Sequence, residues 1–183
     1  MSTAALPRPL SASLGRVVLI VRALCVLGAV SLIAVPLWFW TSPEAIEGLA
    51  PSMVGVKEMT IDARAQWLGG ALSLLPVSLG LYALWQLWQL FTEYAAGRVF
   101  GRTALAHLRR FAWALLGTAL LAPLVRAATS VALTLGNPPG RRMLVVGFSW
   151  NDYMAVLLAA VLIAIATVMA EAVRVAEENE SFV

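Results

Sequence analysis

The chain has 183 residues, of which 61% are hydrophobic and 13% charged, with a mean hydropathy of +0.84. A soluble domain carries about 25% charged residues. The composition therefore excludes an ordinary water-soluble fold and points to an integral membrane protein, an all-α fold built from apolar runs of about twenty residues. The net charge is only +3 with the basic residues dispersed, which gives no support to nucleic-acid binding. The single cysteine, Cys25, excludes an intrachain disulfide and a thiol cluster. The single histidine, His107, argues against a multi-histidine metal site, and no cofactor is expected.

Residues 1–14 are small and polar and include Pro7 and Pro9, which predicts a disordered cytoplasmic N-terminus. Residues 15–183 read as one membrane domain with spans at about 17–40, 67–92, 105–133 and 152–172 and a cytoplasmic tail at 173–183. The first run is long for a signal peptide and is followed by no A-x-A site, so a retained helix is expected. Arg22 lies about one turn inside that run and can snorkel to the interface. Trp38 and Trp40, with Trp67 and Trp150, fit an aromatic belt at the opposite, outer interface.

Between the first two spans, Ser42-Pro43-Glu44 reads as an N-cap, a proline at N1 and an acid in the first turn of a short helix. The stretch 54–61 has strand-like composition, and Asp62 is placed to cap the second span. Pro76 falls inside that span and Gly97 sits at its C′ position. Thr103 is the expected N-cap of the third span, which contains Pro123. Residues 136–140, GNPPG, are a turn signal, and 143–148 form a second candidate strand. Pairing with 54–61 would give a small extracytoplasmic two-stranded β element beside a four-transmembrane-helix bundle. Ser149 and Asp152 match a capping-box variant opening the fourth helix. Ala155, Ala159, Ala166 and Ala170 form small-xxx-small pairs that permit close helix approach.

Orientation follows from the basic residues. Cytoplasmic termini place Arg8, Arg16, Arg22, Arg98, Arg102, Arg109, Arg110 and Arg174 inside, and Lys57, Arg64, Arg126, Arg141 and Arg142 outside or near that face.

Three stretches carry a resemblance: LFTEYAAGRVFG at 90–101, ALAHLRRFAWALLG at 104–117 and VMAEAVRVAEENESFV at 168–183. They resemble a bacterial domain-of-unknown-function family numbered twenty-nine seventy-five, whose members are small four-span membrane proteins. That family shows an aromatic-alanine-glycine-phenylalanine turn and an acidic, asparagine-containing tail with an apolar end. The resemblance implies a four-span fold and a bacterial inner-membrane location. None of the three stretches is a catalytic motif. Some Gram-positive members look like partners of small helix-turn-helix regulators, and the ending here departs from their lysine-rich form.

The chemistry legible in the residues is sparse. A nucleophilic triad would need His107 beside Asp62 or Asp152, which fall across the bilayer from it. Glu93 could act with His107 as a base, but no nucleophile motif accompanies them. No Asp or Glu falls inside the four apolar cores, which argues against a midplane proton relay. The Arg98 loop lacks a P-loop pattern, so contact with anionic lipid is the simpler expectation. Arg22 and Arg126, the deepest charges, are candidate anion or lipid contacts.

A cytoplasmic interaction face is expected from Glu93, Tyr94, Gly97, Arg98, Phe100, Arg102, Arg109, Arg110, Glu171 and Glu178. Glu171 or Glu178 is expected to pair with Arg102 or Arg109. The expected function is a non-catalytic binding or regulatory membrane subunit. Its partners would be the lipid bilayer, a cytoplasmic protein and a second copy of the chain. The alternative is a small-solute or ion transporter or pore acting as an oligomer.

Overall fold

The computed structural model of the protein describes residues 12–55, 59 and 61–180. It contains five helices: α1 (Ala12–Thr41), α2 (Pro43–Val54), α3 (Ala63–Ala95), α4 (Arg102–Thr134) and α5 (Trp150–Glu180). Four of them carry apolar stretches long enough to cross a membrane, at Gly15–Thr41, Ala63–Ala95, Arg102–Thr134 and Trp150–Val175. The chain is thus read as a multi-pass membrane protein. At 33 residues, α3 and α4 are each about 50 Å long against a hydrocarbon core of about 30 Å, so they tilt or project beyond it. Of the expected disordered segment, residues 1–11 lie outside the described residues and 12–14 open α1.

Local sequence signals set most helix ends. Asp62 caps α3, its Oδ1 accepting from the Ala65 amide at 2.7 Å. Ser42 takes the extended N-cap conformation of α2 with Pro43 behind it, although its hydroxyl makes no capping bond. At α5 the Ser149 amide donates to Asp152 Oδ2 at 2.7 Å, and the Asp152 amide donates to Ser149 Oγ at 3.2 Å. These are the reciprocal bonds of a capping box. One expected cap moves: α4 begins at Arg102, and Gly101 rather than Thr103 occupies the N-cap.

The spanning helices do not close into the expected four-helix bundle. α1 packs on α3, α3 on α4, and α4 on α5. Among the described residues no Cα of α1 comes within 8 Å of α4 or α5, nor any of α3 within 8 Å of α5. The result is an open row in the order α1, α3, α4, α5. The short helix α2 lies across one end of it, touching α1 and α4. In lipid, apolar surface need not be buried against protein, so helices associate through close packing and polar contacts rather than around a shared oily core. Large side chains such as Leu27, Leu75, Leu124 and Leu158 accordingly stay exposed on the protein surface.

Small residues set the spacing within the row. Gly28 and Gly80 face Leu84 and Leu32 across the α1–α3 seam, and Gly117 faces Leu79 across α3–α4. Helix α5 buries Asp152, Ala159 and Ala166 against its neighbour. Their spacing of seven is the narrow stripe of a coiled-coil-like seam. Ala155 and Ala170, expected to share that role, are exposed.

Two buried clusters mark the ends. At the α2 end, Trp40, Ile46, Ala50, Ala65 and Leu133 join α1, α2, α3 and α4. At the opposite end, by the α3–α4 turn, Leu90, Ala104, Leu108 and Ala166 join α3, α4 and α5. Trp67 and Trp150 are exposed, as an interfacial belt requires, but Trp40 is only 8% exposed. Its indole is wedged between α1 and α3, and Nε1 donates to Ser73 Oγ at 2.7 Å.

The expected two-stranded β element is also corrected. No strand occurs among the described residues; Val54 closes α2, and residues 56–58 and 60 of the first candidate strand lie outside them. The second candidate, 143–148, is bonded to a helix instead of a strand. The Met143 amide donates to Thr134 Oγ1 at 3.1 Å, and the Val145 amide donates to Ser130 Oγ at 2.9 Å. Both hydroxyls are buried on α4. They satisfy groups that a ladder would otherwise have to satisfy. The preceding turn forms as the sequence predicts, with the Arg141 amide donating to Pro138 O at 3.0 Å and Gly140 at φ 92°.

Candidate functional site

The residues expected to form an interaction face gather at the turn end of the row. Helix α3 ends in a left-handed glycine, Gly97, at φ 76°. The Gly97 amide donates to Tyr94 O and the Arg98 amide to Glu93 O, both at 3.0 Å. This pair of bonds is a Schellman motif, and only glycine takes the C′ conformation without a steric penalty. The side chains repeat the backbone link: Arg98 donates to Glu93 from Nε at 2.7 Å and from Nη2 at 3.2 Å. The Glu93 hydrogen bonds and charge raise the Arg98 guanidinium above its ordinary range. Tyr94 packs inward against Phe91 in an edge contact with centroids 5.3 Å apart, whereas Phe100 projects outward.

Beside this turn, α4 and α5 enclose a groove of about 380 Å³. Leu105, Ala106, Ala166 and Ala170 supply apolar wall, and Arg102, Arg109 and Arg174 supply the charged rim. Arg110 is exposed and does not line the groove. Arg174 is held by two acids of its own helix. Nε donates to Glu171 Oε2 at 3.0 Å, Nη2 bonds Glu171 Oε1, and Nη1 bonds Glu178. These i,i+3 and i,i+4 pairs are exposed, so they fix rim geometry more than they stabilise the fold. Glu171, which the sequence links to Arg102 or Arg109, thus takes its bidentate bond from Arg174.

His107 is hydrogen-bonded to Gln86, and Glu93 to Arg98. His107 Nδ1 lies 2.7 Å from Oε1 of Gln86, which is 1% exposed on α3. With the amide oxygen as acceptor, the ring carries its proton on Nδ1. The contact is a polar tie between α3 and α4 close to the turn end. Gln86 escaped the sequence reading because a glutamine in an apolar run has no local signature that names its partner, and Gln89 three residues on looks the same.

The two deep arginines part company. At the α2 end, Arg126 bonds both carboxylate oxygens of Asp152, to Oδ1 at 3.2 Å, and donates to Gly147 O at 3.3 Å. Asp152 is 6% exposed and also accepts from the Ser149 hydroxyl and amide. One carboxylate therefore caps α5 and ties it to α4, and Arg126 is an ion-pair partner rather than an open anion contact. At the turn end, Arg22 lies in the α1–α3 seam. Its Nη2 donates to Thr92 Oγ1 at 3.0 Å, and its Cζ stands 5.1 Å from the centroid of the Trp88 ring. It is folded onto α3 rather than extended along its own helix.

A family model described as a protein of unknown function, DUF2975, matches residues 55–183. The match covers more than half of the chain, which therefore belongs to that family. No curated protein and no solved structure matches the chain.

Proposed function

We propose that this member of the DUF2975 family is a bacterial inner-membrane protein with both termini cytoplasmic, acting as a non-catalytic binding or regulatory subunit. Its working surface is the turn end, which the arginine bias assigns to the cytoplasm. The observation that carries this reading is the α4–α5 groove, with its apolar wall and arginine rim. An inserted helix or loop of a soluble partner could bury apolar atoms against Ala106 and Ala170 and bring polar groups to Arg109. The Schellman cap and the Glu171–Arg174–Glu178 cluster support a preorganised face, which lowers the ordering cost of docking.

Photo-crosslinkers placed at Tyr94, Arg102 and Glu178 in living cells test the proposal. The expected result is one cytoplasmic protein captured from all three positions and not from a probe at Trp150. Capture of lipid alone, together with solute or ion flux in proteoliposomes, contradicts it.

A second reading has its own support. One open row encloses no path, but its exposed faces leave room for a second copy, so an oligomeric transporter or pore is compatible with the same chain. Flux that depends on oligomer formation would favour it.

A further inference from the structure

Among the described residues, the α1–α3 seam holds a charge with no acid to balance it. Arg22 has no acidic partner among the described residues, and its buried Nε has no hydrogen-bond acceptor. Thr92, its polar contact, is neutral and gives its own hydroxyl proton to Trp88 O at 2.9 Å. The Trp88 ring offsets part of the charge, but a guanidinium with no anion beside it in an apolar seam is costly until a counter-charge reaches it. Thr92, which accepts from Arg22, lies in the last turn of α3, so the guanidinium sits near the turn end of the seam.

On the other side of Arg22, a groove of about 330 Å³ follows the same seam toward the middle of the row. Cys25 and Ala29 of α1 and Leu81, Leu84 and Trp85 of α3 form its apolar walls, and Gln89 adds one polar side chain. Ala29 stands seven residues beyond Arg22, roughly 10 Å along the axis. A cation near the turn end thus tops a groove that runs along the spans toward their middle. That is the charge and shape pattern of one lipid molecule. A free anion would use the cation and leave the channel empty; a zwitterionic lipid would fill the channel and leave the charge unbalanced.

We propose that the α1–α3 seam binds one anionic phospholipid, its phosphate on Arg22 and one acyl chain in the groove over Ala29. The site is separate from the α4–α5 groove and stands or falls independently of it.

Native mass spectrometry of the full chain, purified in detergent with equal phosphatidylglycerol and phosphatidylcholine, tests the assignment. The wild type should keep one phosphatidylglycerol per chain under activation that strips phosphatidylcholine. Loss of a charge-assisted bond in Arg22→Gln should reduce that retention by roughly tenfold or more. Ala29→Phe, which fills the groove and leaves Arg22 in place, should reduce it as well, and this variant reads the site even if Arg22→Gln folds poorly. Arg64→Gln, an exposed arginine at the α2 end, should leave it unchanged. Equal retention of the two lipids, or phosphatidylglycerol retained by Ala29→Phe, would overturn the proposal. Displacement of the lipid by excess inorganic phosphate would assign the cation to a free anion and overturn it equally.

Discussion

The indole of Trp40 fills the space that a side chain at Gly69 would occupy. A Cβ at Gly69 would overlap Cη2 of the ring and the two atoms that flank it. Gly69→Ala must therefore displace either the ring or the helix. Overpacking of this kind costs about 1–3 kcal/mol. Thermal or denaturant unfolding in detergent should show that loss. Trp40→Phe keeps most of the aromatic packing and deletes the Ser73 bond, for a smaller loss of about 1 kcal/mol.

The extended segment 143–148 gives a second expectation. Its amides at Met143 and Val145 are protected by Thr134 and Ser130 rather than by a strand. Thr134→Val and Ser130→Ala should each remove about 1 kcal/mol of local protection, roughly fivefold faster amide exchange at the partnered residue. Unchanged exchange at Met143 and Val145 in the double variant would show that the segment has another hydrogen-bond partner.

How far the sequence reveals this structure depends on whether the signal is local. The spans are legible because twenty apolar residues in a row have few alternatives. The caps at Asp62, Gly97 and Ser149–Asp152 are legible because each motif closes within six residues. The row is not legible, because helices apolar on every side carry no stripe to say which neighbour each meets. Trp40 is misplaced by belt statistics, since the glycine that receives it lies on another helix. Residues 143–148 have strand composition, and the competing signal was the hydroxyl pair Ser130 and Thr134, four apart on an apolar helix. At the site, the turn, its glycine and the arginine cluster are visible in the sequence. The partners of Arg22, His107 and Arg126 are distant in the chain and are not.

Asp152 serves two roles, and the roles separate by mutation. Asp152→Asn retains an acceptor for the Ser149 amide but loses the charge that Arg126 meets. It should lower the unfolding midpoint markedly when Arg126 is present and much less in an Arg126→Met background. Removing one partner of a buried pair strands the other, so the two changes should be strongly non-additive. Simple additivity would mean that the pair contributes no coupling between α4 and α5.

The proposed orientation is tested by labelling in intact cells. With Cys25 replaced by Ala, Ser52→Cys should react with a membrane-impermeant maleimide from outside. Arg98→Cys should react only after permeabilisation. Both native residues are exposed, so accessibility within the protein does not limit either reaction. Reaction of both from the same side would reject the assignment of the turn end to the cytoplasm.

The open row itself is tested most directly by a distance between its two edge helices. Leu27 on α1 and Val161 on α5 are both exposed and lie near the middle of their spans. Spin labels at these two positions in the Cys25→Ala background can be measured by double electron–electron resonance after dilution with unlabelled chain. Three interhelix spacings of 8–10 Å predict a separation of roughly 24–30 Å for a straight row, less if the row curves. Dipolar broadening of the continuous-wave spectrum, which reports separations near a single spacing of about 10 Å, unchanged by dilution, would place α1 against α5 and contradict the account.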